Sequence, residues 1–354
     1  MPANGSPAPL CCLTAALHFN NLNAYIKAIS YYLPKAELTN DDLAALFPEW
    51  GVKKIAAKIG IDTRHITAAD EYASDMAIAA AQKLFAEHNI QPGDIDFILY
   101  CTQSPDHLLP TTACIIQDKL GIPVKAGALD LNLGCSGYIY GLALAKGLIA
   151  AGIAKNILLL TAETYSKFIH PDDKSNRTIF GDAAAASLIS TDGFATIGNF
   201  ELGTDGKGAN NLIVKKGGVR PPENIGHAET VSKSEFPDEY IYMDGPEIFN
   251  FTSDEIPGSV AAALEKNGLS KTDIDQFIFH QANQFMLEHL RKKIGIPPDS
   301  FYIYMAKVGN TVSSTIPIAL YHALKERTVK PGQNWLLAGF GVGYSWGATI
   351  ITFK

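Results

Sequence analysis

The chain of 354 residues has few cysteines, a small net charge and no long apolar run. Five cysteines are an odd number, and because none forms a Cys-x-x-Cys pair, neither a disulfide scaffold nor a metal site of the zinc type is expected. The formal charge of −7 argues against a surface that binds nucleic acid. No apolar run reaches the roughly 18–20 residues that cross a bilayer, so membrane insertion is not expected. These shortages favour a protein of the reducing cytoplasm.

The chain is long enough, and with 47% apolar residues hydrophobic enough, for two domains or one duplicated domain. Residues 89–96 resemble residues 268–275, and residues 156–160 resemble residues 334–338. The two matches are separated by nearly the same number of residues, which indicates a duplication. Each half alternates helical runs with short apolar runs, which predicts sheets covered by helices on both faces.

We therefore divide the chain into three parts. Residues 1–21 lack the basic start of a secretory signal and are interpreted as a loose N-terminal extension. Residues 22–195 and 196–354 are the two predicted halves. A polar stretch at 203–234 is predicted to be a surface excursion of the second half.

A cysteine stands at the strongest functional motif. Cys135 follows a predicted strand (126–133) and precedes a predicted helix (136–151). The positive end of a helix dipole lowers the pKa of a thiol placed there, and Gly134 and Gly137 allow close backbone approach. Cys135 is therefore predicted to be a nucleophile.

Other nucleophiles are weaker candidates. Most free cysteines are buried structural residues, and we assign Cys101 and Cys114 to that group. Ser136 could be the nucleophile of a Gly-x-Ser-x-Gly elbow, but Tyr138 stands at the last position of that pattern.

Two later segments supply possible partners. His280 ends the apolar run 276–279, at the strand edge where open α/β sheets bind ligands. Asn310 follows Gly309 in a predicted tight turn before a predicted helix (313–326). A glycine-rich segment at 339–347 is not followed by Gly-Lys-Ser/Thr, so it does not predict a nucleotide loop.

Seven short motifs occur in a fixed order along the chain. They are residues 60–66 (GIDTRHI), 130–138 (DLNLGCSGY), 180–182 (FGD), 243–245 (MDG) with Phe249, 280–283 (HQAN), 309–311 (GNT) and 339–343 (GFGVG) with Trp346 and Gly347. In this order, the motifs resemble those of the β-ketoacyl-acyl-carrier-protein synthase III family, within the thiolase-like superfamily. The resemblance runs from about residue 23 to residue 354. It implies an α/β fold of the thiolase-like five-layer αβαβα type, with two duplicated halves, and a homodimer.

The resemblance implies a decarboxylative condensation. Cys135 would accept an acyl group from an acyl-CoA or acyl-carrier donor, and His280 and Asn310 would donate hydrogen bonds to the carbonyl of malonyl-carrier protein. Coenzyme A and the carrier's phosphopantetheine arm are substrates in this reaction, and no cofactor is expected.

An oxyanion hole is expected beside the nucleophile. The backbone N–H groups of Cys135 and Val342 would form it, because Gly341 and Gly343 permit tight backbone approach.

Several positions depart from the family pattern where substrates would be chosen. Lys54 and Lys58 stand where a tryptophan and an arginine commonly grip the CoA nucleotide. Leu109 replaces a phenylalanine that commonly lines the partner's acyl pocket, which would allow a longer or differently shaped acyl chain. Arg177 is a further candidate contact to CoA, and Phe285 replaces an arginine that commonly contacts the carrier.

A basic run on a predicted helix is the candidate surface for an acidic carrier protein. It consists of Arg291, Lys292 and Lys293. A solvated helix face is the alternative interpretation of the same run.

Other functions on the same scaffold remain open. The chain could transfer an acyl group to oxygen or nitrogen, or could condense two acyl chains in a specialised pathway outside standard fatty-acid initiation. HMG-CoA synthases use a glutamate base, and no glutamate lies near Cys135 in the sequence. Chalcone synthases usually have a proline where Val342 stands. A non-catalytic scaffold would not need Cys135, His280 and Asn310 together.

Overall fold

The computed structural model describes residues 23–220 and 235–354, and for residues 52–55 it describes the backbone alone. The predicted extension 1–21 and part of the predicted excursion, residues 221–234, lie outside the described residues. The strands are β1 Tyr25–Tyr32, β2 Ala36–Thr39, β3 Thr63–Ile66, β4 Phe97–Cys101, β5 Gly127–Leu131, β6 Asn156–Glu163, β7 Ala183–Ser190, β8 Ala195–Thr204, β9 Leu212–Ile213, β10 Tyr242–Met243, β11 Gln276–Phe279, β12 Asn334–Gly341 and β13 Ser345–Phe353. The helices are α1 Asn40–Leu46, α2 Val52–Ile59, α3 Ala73–His88, α4 Thr112–Lys119, α5 Gly137–Ala150, α6 Lys174–Arg177, α7 Gly245–Lys266, α8 Gln284–Ile294 and α9 Thr315–Glu326.

One sheet runs through the molecule in the order β11-β12-β13-β8-β1-β7-β6-β4-β5. Its two parts join where β1 pairs with β8, over the two residue pairs Tyr25–Thr196 and Ile26–Ala195. Beyond this short junction, the first half supplies β5, β4, β6, β7 and β1, and the second half supplies β8, β13, β12 and β11. The sheet therefore consists of two smaller sheets that are joined by the two residue pairs between β1 and β8.

Helices cover both faces of each part, because the strands are apolar on both sides. In β6, Leu159 packs in a central cluster with α5 and α9, whereas Leu158 packs in an outer cluster with α3 and α4. In β12, Leu337 joins the central cluster and Leu336 packs outward with α7 and α8. The layers are thus helix, sheet, helix, sheet, helix, which confirms the expected αβαβα fold.

The duplication is visible in matching polar contacts. Asp96 accepts hydrogen bonds through its carboxylate from the backbone of Asn156, at 3.0 Å, at the start of β6. Asp275 accepts the equivalent bond from Asn334, at 2.8 Å, at the start of β12. Each asparagine side chain also donates to a backbone carbonyl of the short helical turn that precedes β4 or β11. The two halves therefore repeat the same link between neighbouring parallel strands.

The described part of the predicted surface excursion is not wholly at the surface. β8 continues to Thr204, past the predicted start of the excursion at residue 203, and pairs with β13. Leu212 in β9 is buried and joins the cluster around Cys135. That part of the prediction was wrong because a polar composition concealed one buried leucine. No helix in the described ranges combines the length and apolar character needed to cross a bilayer.

Candidate active site

The fold places Cys135 in the loop between β5 and α5, at the centre of the molecule. Its side chain is buried, and Ser136 forms the first cap of the helix. The backbone N–H groups of Cys135 and Val342 both act on Sγ, and each lowers the pKa of the thiol. A methyl group on Gly341 would lie 2.9 Å from Sγ, so only glycine lets the end of β12 approach this closely. The strand that leads to Val342 therefore comes up to the sulfur, and the oxyanion hole of Cys135 and Val342 stays a prediction.

The pKa of the Cys135 thiol does not follow the sequence-based expectation. Burial and the nearby carboxyl of Glu163 raise it to about 12, although the two backbone hydrogen bonds act in the opposite direction. A helix N-terminus stabilises an anion by about 0.3–1 kcal/mol, which is less than the cost of burying a charged thiolate. The expected lowering of this pKa was wrong, and the resting side chain is a thiol.

His280 follows the end of β11, as predicted, and its side chain is buried. Burial lowers its pKa to about 3, so that the imidazole is neutral at physiological pH. Nδ1 lies 2.7 Å from Oγ1 of Thr315, which in turn lies 3.0 Å from the carbonyl oxygen of Val312. The Thr315 hydroxyl has one proton, which it can donate either to Nδ1 or to the carbonyl of Val312. Nε2 carries the imidazole proton only when the hydroxyl donates to Nδ1, so this choice sets the tautomer of His280.

Asn310 lies in the turn before α9, and its side chain is buried. Its Oδ1 accepts a hydrogen bond from the backbone N–H of Val312 at 2.9 Å. Because the oxygen is occupied, the Nδ2 donors remain for the site. Gly309 has φ of 72°, and a side chain there would meet the carbonyl of Ile179 at 3.0 Å, which explains the glycine of the motif.

These three side chains share one cavity of about 130 Å³, although they come from three loops and from both halves. The rest of the cavity wall is mostly apolar, and its described lining contains no carboxylate. The lining residues are Cys135, Ile179, Phe180, Leu212, Met243, Gly245, Ile248, Thr252, His280, Ala282, Asn283, Met286, Asn310, Phe340 and Gly341.

A buried glutamate lies behind this cavity, and the sequence analysis missed it. Glu163, at the end of β6, accepts hydrogen bonds from the backbone N–H of Gln103 (3.0 Å) and from the hydroxyls of Ser104 (3.0 Å) and Ser313 (3.1 Å). Burial raises its pKa to about 8, and the neighbouring Asp182 adds to that shift. The sequence offers one signal for this residue, because Glu163 is a lone charged residue at the end of an otherwise apolar strand. The glutamate is near Cys135 in space but outside the cavity lining, so it is not placed as a base for substrate.

Among the remaining predicted substrate contacts, the described side chains do not line the cavity. Lys58 is exposed on α2, with Nζ 4.7 Å from the ring centre of Phe285, and the side chain of Lys54 lies outside the described residues. Arg177 donates to the carbonyl of Pro171 at 2.7 Å and flanks a second cavity of about 470 Å³. Leu109 is 82% exposed and does not line the cavity of its own chain.

The structure also bears on the predictions for Gly343, Cys101 and Cys114. Gly343 has φ of 135°, a backbone region that favours glycine, so its presence beside Val342 has a conformational reason. Cys101 is buried, as expected, but Cys114 is exposed, which contradicts its interpretation as a buried structural cysteine.

The candidate carrier surface on α8 is partly neutralised by acidic side chains. Arg291 pairs with Glu288 at 2.8 Å. Lys293 lies 3.6 Å from Asp254, and Lys292 is exposed. The run is therefore a mixed surface with a net positive charge that is smaller than the sequence suggests.

The layered fold, with a cysteine beside a helix start and with a histidine and an asparagine in the same cavity, is that of the thiolase-like class of condensing enzymes. Two family models match, namely 3-oxoacyl-[acyl-carrier-protein] synthase III over residues 129–206 and its C-terminal domain over residues 264–353. The chain belongs to this family of acyltransferases, which confirms the resemblance inferred from the motifs.

Individual relatives agree over nearly the whole chain. A β-ketoacyl-[acyl-carrier-protein] synthase III of Caldanaerobacter subterraneus is 37% identical, over 91% of this chain and 96% of the relative. One of Clostridium perfringens is 36% identical, over 93% and 99%. A solved 3-oxoacyl-(acyl-carrier-protein) synthase III is 48% identical with a TM-score of 0.88, over 94% of this chain and 100% of that chain. The corresponding synthase of Burkholderia xenovorans is 37% identical with a TM-score of 0.86, over 94% of both chains.

The carboxyl of Glu163 should govern how the reactivity of Cys135 changes with pH. We expect Glu163→Gln to alkylate at Cys135 with iodoacetamide faster than the wild type above pH 8, on the order of tenfold for each unit by which the thiol pKa falls. The reason is that the wild-type carboxyl is ionised there and opposes the thiolate. Below about pH 7 the carboxyl is protonated, so the two proteins should react at similar rates.

The rate is measured by peptide mass spectrometry, which separates Cys135 from the other cysteines. Glu265→Gln, which neutralises an exposed carboxylate on α7, is the matched control and should follow the wild type at every pH. Identical profiles for Glu163→Gln and the wild type would show that the buried charge does not act on the thiol.

Proposed function

We propose that this chain catalyses the decarboxylative condensation of an acyl thioester with malonyl-carrier protein to give a β-ketoacyl-carrier protein. The single observation that carries the proposal is the cavity that holds Cys135, His280 and Asn310. A thiol, a neutral imidazole and a carboxamide with a free N–H suit transfer of an acyl group followed by stabilisation of an enolate.

The first step loads Cys135. Its sulfur attacks the carbonyl carbon of an acyl-CoA, and the oxyanion that forms accepts from the N–H groups of Cys135 and Val342. The carbon–sulfur bond to CoA then breaks, and the thiol proton of Cys135 leaves with the CoA sulfur. Because burial holds this thiol neutral, the oxyanion donors supply the stabilisation that makes attack possible.

The second step uses the opposite wall. Nε2–H of His280 and Nδ2–H of Asn310 donate to the thioester carbonyl of the malonyl group, and loss of CO₂ leaves an enolate on that oxygen. Its carbon attacks the acyl group on Cys135, and the thiolate leaves and takes up a proton. The neutral state of His280 supports this role, since an imidazolium would protonate the carbanion. This role requires the tautomer with the proton on Nε2, in which the Thr315 hydroxyl donates to Nδ1.

Basic side chains supply the outer contacts in this proposal. Lys54, Lys58 and Arg177 would meet the phosphates of CoA. For the carrier, the exposed Lys292 is the strongest candidate of the run on α8, because Arg291 and Lys293 have acidic neighbours. A reactive thiol must stay reduced, so we place the enzyme in the cytoplasm.

We also propose a homodimer formed through β5. This strand is at one end of the sheet, and in the described part of the chain it pairs on one edge only, with β4. Leu129 in β5 is exposed, and Leu109, on the loop between β4 and α4, is 82% exposed. An exposed apolar edge strand is a liability that pairing with a second copy removes. The Leu109 loop would then reach the partner's site.

The three cavity side chains should divide the reaction between them. We expect Cys135→Ala to abolish acyl loading, whereas His280→Ala and Asn310→Ala should still load but lose malonyl decarboxylation by on the order of 10²–10³ in rate, because each removes one enolate donor. Intact-mass spectrometry measures loading, and CO₂ release from malonyl-carrier protein measures decarboxylation.

His88→Ala, which removes an exposed histidine on α3, is the control and should leave both steps unchanged. Failure of the His280 and Asn310 variants to load would refute the division of labour. Loading of the Cys135 variant at the wild-type rate would refute the nucleophile.

The dimer should depend on the exposed face of β5. We expect the wild type to have the mass of two chains in light scattering and Leu129→Arg to shift towards one chain, since a buried unpaired charge is costly. Ile153→Arg, at another exposed apolar residue, should remain dimeric. A Leu129→Arg protein that stays dimeric at micromolar concentration would contradict this interface.

A further inference from the structure

Arg64, in β3, is a fully buried arginine. Among the described residues it forms no ion pair, and the carboxyl of Asp62 favours its charge without bonding to it. Burial lowers the pKa of Arg64 to about 10, so the guanidinium is still charged at physiological pH. Because a buried charge without an ion-pair partner is costly, neutral oxygens must satisfy its donors.

The donors of Arg64 reach such neutral oxygens. Nε donates to the carbonyl of Thr178 at 2.8 Å, and Nη2 donates to the same carbonyl. Nη1 donates to Oδ1 of Asn40 at 2.5 Å. Two further carbonyls lie 3.5 Å away, that of Ile61 from Nη2 and that of Asp62 from Nη1. The carbonyl of Thr178 is thus held by two N–H groups of one rigid fork, a geometry that a lysine does not reproduce.

The held carbonyl begins the segment 178–182, which pairs with the backbone of Asn310. The N–H of Asn310 donates to the carbonyl of Ile179 at 2.9 Å, and the N–H of Gly181 donates to the carbonyl of Asn310 at 3.0 Å. These two bonds make a parallel bridge. One short segment therefore sets the position of the Asn310 backbone, and Arg64 fixes the start of that segment.

The stem of Arg64 also fills the space between this segment and the turn that carries the carboxamide. A methyl group on Gly309 would lie 3.1 Å from Cγ of Arg64, and one on Gly181 would lie 3.4 Å from its Cβ. The backbone beside the arginine holds the same turn, since the N–H of Thr63 donates to the carbonyl of Ala306 at 3.0 Å. Arg64 therefore contacts both chain segments of the bridge.

We propose that Arg64 is a positioning residue, which holds the carboxamide of Asn310 in place through the segment 178–182. This inference rests on the proposed function, in which Nδ2 of Asn310 donates to the malonyl carbonyl. Arg64 does not line the cavity, so it acts through Asn310 and not on the substrate. Because a displacement of about 1 Å at a reacting group can cost on the order of 10² in rate, a fixed start of the segment supports the reaction.

The groups that serve acyl loading come from other parts of the fold. Cys135 lies between β5 and α5, and Val342 follows β12. In the described structure neither residue is hydrogen-bonded to the segment 178–182. Loss of Arg64 should therefore slow decarboxylation and leave the loading of Cys135 close to the wild-type rate.

The test measures Arg64→Gln in two backgrounds, the otherwise unchanged full chain and Asn310→Ala. In the first, CO₂ release from malonyl-carrier protein should fall on the order of tenfold, in kcat and not in KM. Loading from acetyl-CoA, followed by intact-mass spectrometry, should stay within about threefold. In the Asn310→Ala background the same change should lower CO₂ release by less than about threefold, because the group that Arg64 positions is absent.

Two further variants complete the series. Arg64→Lys keeps the charge without the fork, and its rate of CO₂ release should lie between those of Arg64→Gln and the wild type. Arg327→Gln, which removes an exposed arginine, is the matched control and should leave both steps unchanged. A loss of CO₂ release that is the same in both backgrounds, or a loss of loading as large as the loss of CO₂ release, would show a general structural role and overturn the proposal.

A second variant covers the case in which Arg64→Gln does not fold. Asn40→Ala removes the acceptor of Nη1 and leaves the charge in place. It should lower CO₂ release at least about threefold in the otherwise unchanged chain and by less than about twofold in the Asn310→Ala background. An equal effect in both backgrounds, or no effect in either, would overturn the role of Arg64.

The outcomes separate this inference from the proposed function. If Asn310→Ala is impaired in CO₂ release and Arg64→Gln is not, the proposed function stands and only the positioning role fails. If Asn310→Ala itself releases CO₂ at the wild-type rate, the proposed role of the carboxamide fails, and the positioning role fails with it.

Discussion

The close approach of β12 to Cys135 is the constraint on which the site depends. Methyl groups at Gly339 and Gly341 would lie 2.8 Å from the carbonyl oxygen of Cys135 and 2.7 Å from its Cβ, respectively. Contacts this short exclude any side chain, so the second half can bring the N–H of Val342 to the sulfur only through glycines. The duplicated fold supplies the geometry, because equivalent strands from the two halves meet around the central helices. Cys135 therefore belongs to one half, whereas Val342, the second donor of the proposed oxyanion hole, belongs to the other.

Much of this could be predicted from the sequence, since the informative signals are local. The apolar runs located β4, β6, β11 and β12, and the glycine-flanked motifs located Cys135 and Asn310. Glu163 and Leu212 were missed because their importance comes from contacts between residues far apart in the chain. The pKa of Cys135 was predicted in the wrong direction for a related reason, since a helix start is visible in a sequence and burial among distant side chains is not.

Burial makes the site almost free of charge, and this neutrality suits the chemistry. His280 is neutral because the cost of burying an imidazolium lowers its pKa to about 3, and Cys135 is a thiol for the corresponding reason. Hydrogen-bond donors in such surroundings stabilise a developing oxyanion strongly, because little solvent screens them and they are already oriented.

The position of Glu163 follows from the same reasoning. A carboxylate in the cavity lining would repel both the malonyl carboxylate and the enolate that forms from it. Here the carboxyl is turned towards Gln103, Ser104 and Ser313, which satisfy its oxygens behind the cavity wall. From there it ties the end of β4 to the loop that carries Asn310, and so joins the two halves without placing charge among the reacting groups. A glutamate that acts as a base on substrate would need the opposite orientation, which distinguishes this site from one that abstracts a proton from an acyl group.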